Sequence, residues 1–220
     1  LDCYSAGAVS GADHVGGVVG YNESSAEISG CYSQGTVSGD NYLAGVAGTN
    51  ETMGTLNDCY AEGDIIATGQ TVGGVAGDNL GTIQGCHMSG NVTGSDTNSY
   101  YVGGIAGYNA GSIQASFATG GVNGLQDIGG AVGWNKGIIS HSYASGDVTG
   151  ADNSIGGLIA MLDTQLVKND KWSIYDDAAG TNCHVYKNDS PTENSLFYLK
   201  VDDNYAGYAN ASKKRGINLF

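Results

Sequence analysis

One 23-residue stretch, VGGVAGDNLGTIQGCHMSGNVTG at residues 72–94, is a complete copy of a pattern that recurs along most of the chain. It reads apolar-Gly-Gly-apolar-apolar-Gly-x-Asn, a glycine turn, then Ile-x-x-Cys-Tyr-x-x-Gly-x-Val-x-Gly, with His87 at the Tyr position in this copy. Copies begin at Val15, Leu43, Val72, Val102, Ile128 and Ile155, spaced by 28, 29, 30, 26 and 27 residues, and the second half of an earlier copy opens the chain at residues 1–11. A fixed period of ~20–50 residues is the signature of a solenoid, a propeller or another array.

The content of each copy selects among these. No copy shows a helical period, and no stretch is free of glycine for long enough to build a helix. Each holds three short β-like runs instead, at 72–76, 82–88 and 91–93 in the copy above. Three strands and three corners make one coil of a parallel β-helix. Coils stack at roughly 4.8 Å, so about six give an array near 30 Å long. A propeller blade would need about 40 residues or more, and the ladder of a leucine-rich repeat is missing. The expected fold is therefore all-β: a right-handed parallel β-helix, a solenoid of about six coils, with handedness from the rule for parallel crossovers.

Stacking places equivalent residues above one another. Val18, Val46, Val75, Ile105, Ala131 and Leu158 are expected to form one core column, and Ile28, Leu56, Ile83, Ile113 and Ile139 another. The corner asparagines Asn22, Asn50, Asn79, Asn109 and Asn135 are expected to form a structural ladder. Asparagine tolerates left-handed backbone, and stacked amides hydrogen-bond along a column. The recurrent glycines fit positive-φ corners or a tight approach between coils.

The segment GGVAGDNLGTIQGC, together with CYSQGTVSG at residues 31–39, resembles the GLUG motif of bacterial surface and secreted proteins. The resemblance covers about residues 1–162. It implies a structural repeat that brings no catalytic residues, located outside the cell or on the bacterial surface. Its relatives look like adhesins and envelope proteins, some joined to an immunoglobulin A metallopeptidase. The implied function is a non-catalytic adhesin or stalk module that can bind host protein or glycan. The alternative is an accessory, substrate-positioning domain of a secreted immunoglobulin A-type metallopeptidase, and a third is a glycan-active β-helix enzyme. Some copies depart from the pattern. Leu43-Ala44-Gly45 replaces the double glycine, Ser116 and Ser142 replace the cysteine, and the sixth copy loses its Gly-x-Asn and Cys-Tyr elements, so the array is expected to end near Leu162.

Charge narrows the partners. Residues 1–135 contain no Lys or Arg and carry 12 acidic residues; the other 85 hold ten acids and eight bases. Nucleic acid is excluded as a partner of the array, because binding needs cations to neutralise phosphate. Anionic membrane is disfavoured for the same reason, and no apolar run approaches the ~18 residues of a membrane span. Acidic side chains keep a glycine-rich sheet protein soluble and guard its edges. Calcium or a cationic partner is the other use of such charge, but calcium prefers clustered oxygens, and these acids are scattered. No metal or other cofactor is expected. The chain begins inside a repeat, so neighbouring domains of a longer chain are expected, with any targeting signal there.

Cys3, Cys31, Cys59 and Cys86 fall in one column. Parallel Cβ vectors disfavour bridges between coils, and the spacing lacks the CxxC pairs of zinc sites. Reduced, half-buried column residues with serine as the substitute are expected. Cys183 lies apart.

Catalysis finds little support. A glycan-cleaving site needs carboxylates in adjacent coils. Asp58, Glu62 and Asp64 are close in sequence, but the next coil offers Gly85, Gly90 and Asn91 at the positions read as aligned. HExxH is absent. His141, Ser142 and Asp147 lack a nucleophile elbow. The candidate binding face is the aromatic column Tyr4, Tyr32, Tyr60, His87, Phe117 and Tyr143, with Tyr42, Tyr100 and Tyr101 on the variable loops before the double glycine. Cys and Tyr are adjacent, so one column faces in and the other out. After residue 162 glycine thins out and Lys, Trp and Pro191 appear. Strands are expected around Trp172–Tyr175, His184–Tyr186 and 196–201. Residues 163–220 are read as a C-terminal cap around Trp172, Phe197 and Tyr198, or as the start of a small following domain.

Overall fold

A computed structural model describes residues 3–95, 97–151 and 154–162, together with the backbone of three later strands. The described chain contains no helix. Residues 4–162 wind into a parallel β-solenoid of about six turns.

Each turn carries five short strands, where the sequence pattern predicts three. In the third full copy they are Val72–Gly73, Ala76–Asn79, Thr82–Gln84, His87–Met88 and Val92–Gly94. The difference has a local cause. The predicted run 72–76 bends at Gly74-Val75, and the run 82–88 bends at Gly85-Cys86, where Gly85 sits at φ 64°. Each long run is thereby cut into two strands on two walls.

Strands stack into five parallel sheets, named here for the residue each repeats: glycine, asparagine, isoleucine, aromatic and valine. Four have six strands and the isoleucine sheet has five. Register is in phase throughout. Leu56 pairs with Ile28 and Ile83, Asn79 with Asn50 and Asn109, and Tyr60 with Tyr32 and His87. A one-residue slip would turn every core side chain outward, so the buried columns fix this register.

The core is a thin tube. Val46, Val75, Ile105, Ala131 and Leu158 are fully buried, with Val18 half-buried at the first coil. Leu56, Ile83 and Ile113 are fully buried between half-buried Ile28 and Ile139 at the column ends. Both columns lie where the repeat places them. The tube is narrow because of the second glycine of each pair. A Cβ on Gly74 would fall within van der Waals contact of Gly104 O and the Met88 side chain. The first position is just as crowded in the other copies, where a Cβ on Gly73 would run into Ala76 O, yet the second copy accommodates a buried Ala44 there.

Left-handed backbone falls elsewhere than on the asparagines. None of the corner asparagines has positive φ. The left-handed corner is the residue before each apolar-Gly-Gly: His14, Tyr42, Thr71, Tyr101, Asp127 and Ser154, with φ from 51° to 63°. A second such corner joins Gly30, Asp58, Gly85, Ala115 and His141. Non-glycine residues pay about 1 kcal/mol or more for this conformation, so the stacked hydrogen bonds around each corner must hold it.

Beyond the solenoid, Trp172–Asp176, Asn182–Lys187 and Phe197–Lys200 form an antiparallel three-stranded sheet. The strands fall close to their sequence-predicted positions. The expected packing around Trp172, Phe197 and Tyr198 lies outside the described residues, as does the chain end with Lys213–Arg215.

Candidate functional site

Three side-chain ladders run along the solenoid. In the asparagine ladder, Nδ2 of each residue donates to Oδ1 of the next: Asn22 to Asn50 at 2.7 Å, Asn50 to Asn79 at 2.8 Å, Asn79 to Asn109 at 2.7 Å and Asn109 to Asn135 at 2.6 Å. The second Nδ2 hydrogen caps a turn carbonyl, as in Asn50 to Gly54 O and Asn135 to Gly137 O. The amides are buried, so each satisfies its neighbour in place of water. Leu162 takes the column position in the last coil and ends the ladder.

The second ladder resolves the orientation of Cys and Tyr. Cys31, Cys59 and Cys86 face inward and are buried, as are Ser116 and Ser142 above them, while Cys3 at the end is exposed. None of the four cysteines is in a disulfide. Each thiol or hydroxyl donates to the carbonyl two residues back, as Cys86 Sγ does to Gln84 O at 3.3 Å and Ser116 Oγ to Gln114 O at 2.9 Å. Cys86, Ser116 and Ser142 also accept from the backbone of the coil before, through Cys59 N to Cys86 Sγ, Cys86 N to Ser116 Oγ and Ser116 N to Ser142 Oγ. Serine fits the column because the job is one donor and one acceptor. The hydrogen bond with Cys59 and burial hold the Cys86 thiol well above the usual range.

The aromatic column therefore faces out. Tyr4, Tyr32, Tyr60, His87, Phe117 and Tyr143 form an unbroken face-to-face stack, with centroids 4.7–5.2 Å apart and planes within 10° of parallel. Burial between two rings pushes the His87 imidazole down, against a smaller opposing pull from Glu62, and so disfavours its charged form. Inside the stack each ring covers its neighbours' faces. Only edges and hydroxyls are left for a partner, apart from the outer faces of the terminal rings.

The variable corner builds a different surface. Tyr42 stacks on His14 at 4.6 Å, and His14 meets Tyr21 edge-on at 5.4 Å and bonds Thr49 Oγ1 at 2.9 Å through Nδ1. Further along, Tyr101 tilts onto Trp134 at 5.0 Å, and Tyr108 meets Trp134 edge-on at 5.2 Å. Lys136 Nζ sits 4.0 Å above the Trp134 ring. Tyr100 adjoins this corner, its carbonyl accepting from Thr71 N. The sequence marked Tyr42, Tyr100 and Tyr101, but not Tyr21, Tyr108 or Trp134. Those three share the column between Gly and Asn of the Gly-x-Asn corner, where Thr49 and Asp78 interrupt the aromatic signal.

The catalytic candidates come apart in the structure. Register places Ser89, not Gly90, beside Glu62, while Asp64 lies beside Asn91 and bonds its backbone N–H at 2.9 Å. Ser142 is buried with its hydroxyl committed to Ser140 O, so it is no nucleophile for His141. Among the described residues, no group of three or more His, Cys, Asp or Glu is placed to hold a metal ion.

The family model of the GLUG motif matches residues 11–38, the first full coil of the array. No curated protein and no solved structure matches the chain.

Proposed function

With a GLUG motif in the first coil and its register carried through the whole array, we propose that the chain is a non-catalytic repeat module of a bacterial surface or secreted protein. It acts as a stiff adhesin-like stalk that holds binding surfaces away from the cell. The observation that supports this most directly is the triple laddering. Asparagine, thiol-hydroxyl and aromatic columns each continue from coil to coil without a break, so bending the rod would part hydrogen bonds and stacked rings together. Nearest-neighbour stacking of this kind favours extension by adding coils, which suits a spacer. The acidic surface supports an extracellular, soluble environment.

The aromatic stack reads as part of that stiffening more than as a sugar platform. Stacking on a pyranose needs an open ring face, and four of the six rings have both faces covered. The experiment is labelling of intact source cells with antibody against this chain, alongside protease shaving and blotting of the culture medium. Signal on intact cells or in the medium is expected. Signal appearing only after permeabilisation overturns the reading.

A further inference from the structure

The left-handed corner and the middle column of the asparagine sheet form one continuous face. Its corner column is His14, Tyr42, Thr71 and Tyr101, and its sheet column is Tyr21, Thr49, Asp78, Tyr108 and Trp134. Ring contacts join the two columns at both ends, through His14–Tyr21 and Tyr101–Trp134. In the middle coil both columns shrink. Thr71 stands where both neighbouring coils carry a ring, Tyr42 and Tyr101, and beside it Asp78 lies between Thr49 and Tyr108, so the face steps down at this coil between Tyr42 on one side and Tyr101 and Tyr108 on the other.

Three features of this face point to positive charge. First, its end already holds an ammonium: Lys136 Nζ lies over Trp134 and 5.8 Å from the Tyr108 centroid, so these rings bind a cation in cis. Second, the rings around Tyr21 and Trp134 are tilted or edge-on to each other, and Tyr42 stacks on His14 through one face alone, so the faces are not covered on both sides as they are inside the aromatic stack. Third, away from Lys136, the charge around Tyr21 is one-signed. Glu23, Glu51 and Asp78 surround Tyr21, whose hydroxyl donates to Glu51, and residues 1–135 contribute no Lys or Arg to answer them. Asp78 is half-buried: its Oδ1 is shut off from solvent and has no hydrogen-bond partner, so a pairing cation meets the carboxylate from the side of its other oxygen.

We propose that this face is an interaction surface for a cationic polypeptide segment, whose Lys or Arg heads lie against Tyr42 and Tyr108, next to the Trp134 ring that Lys136 covers, and pair with Asp78 and Glu51. The proposal rests on reading the chain as a display module, and names the chemistry of the partner. Arginine fits best, because its planar guanidinium stacks on rings while donating to a carboxylate. A neutral glycan would gain from the rings but leave the unanswered charge where it is.

The test uses the full 220-residue chain and a capped hexapeptide of alternating Arg and Gly, titrated at low salt by calorimetry. Trp134 emission, read in a Trp172→Phe background, serves as the local reporter. Asp78→Asn removes the charge at nearly constant volume, and Trp134→Phe tests the ring. Glu62→Gln removes an acid on the aromatic-stack side as the control. Circular dichroism verifies each fold. Expected results are a change in Trp134 emission on binding, at least a fivefold loss of affinity in Asp78→Asn, and less than twofold in Glu62→Gln. Equal losses in the two acid variants would reduce the effect to net charge and overturn the proposal. So would absence of binding by the parent chain, or binding that leaves Trp134 emission unchanged. Surface labelling of cells reads the display function separately, so either reading can fail without the other.

Discussion

Asn79→Ala probes what the asparagine ladder contributes. Asn79 is fully buried, accepts from Asn50 Nδ2 at 2.8 Å and donates to Asn109 Oδ1 at 2.7 Å. Alanine removes both bonds. Asn50 keeps weaker contacts to Gly54 O and Thr82 O at 3.3 Å, but Asn109 Oδ1 loses its ladder donor inside the protein. A typical hydrogen bond contributes about 1 kcal/mol net, and a buried group left unpaired costs ~1–3 kcal/mol, so the sum is about 3 kcal/mol. Asn22→Ala breaks one rung at the ladder's end and should cost about half as much. Asn79→Asp gives a sharper contrast. Its carboxylate still accepts from Asn50 but faces Asn109 Oδ1 as a second acceptor. Protonation restores a donor, so folding should raise this carboxyl's pKa, and the lost stability should return as pH falls. The assay is urea unfolding followed by far-UV circular dichroism. With m of about 2 kcal/mol/M, a loss of ~3 kcal/mol moves the midpoint by roughly 1.5 M. A cost below ~1 kcal/mol for Asn79→Ala, or a pH-independent deficit for Asn79→Asp, would refute the view that the ladder is a cooperative buried network.

Three further outcomes follow from the same geometry. Gly74→Ala pushes a methyl onto Gly104 O and the Met88 side chain, and overpacking of this kind should cost about 3 kcal/mol or more, seen as loss of soluble folded protein or a lower melting temperature. Cys86→Ser should cost less than about 1 kcal/mol, because Ser116 performs the same two hydrogen bonds one coil on; a urea midpoint far below the parent's would show the thiol doing more. Burial, with a smaller contribution from Glu51, pushes the Asp78 carboxyl up to about 6. Its folded pKa thus exceeds its unfolded one, so the stability it contributes is present in acid and lost as pH rises through about 6. Asp78→Asn should then gain about 1 kcal/mol at pH 7.5, after allowing for solvent screening, and nothing at pH 4, with equal gains at both pH values counting against this account.

Much of the architecture is legible in the repeat. Val75 and Ile83 recur at coil spacing, and a residue that recurs at coil spacing in a parallel stack must sit on its own kind. Hence the core columns, the asparagine ladder and the in-phase register could all be read from residue order. Strand number could not. Gly74 and Gly85 interrupt the predicted runs, and whether such a glycine bends the chain depends on what lies opposite it. For Gly74 that is Gly104 and Met88, which are 30 and 14 residues away. The left-handed corners were hidden for a related reason. Asparagine is the usual signal for that conformation, but here the amides are committed to the ladder, and Tyr42, Thr71 and Tyr101 take the strained backbone. The residue order places Tyr42 and Tyr101 on variable loops, but the contacts Tyr42–His14 and Tyr101–Trp134 join neighbouring coils and are not written along the chain.

The sequence by itself determined the period, the all-β solenoid, and which residues stack in columns, because in-register parallel stacking turns periodicity directly into contact. Only the tertiary structure decided which side of the wall each column takes. Cys and Tyr are neighbours of opposite orientation, and either could have been the inner one. The tube is too narrow for the rings, its second glycines already touching the strand opposite, so the small thiols and hydroxyls go in and the aromatic stack goes out.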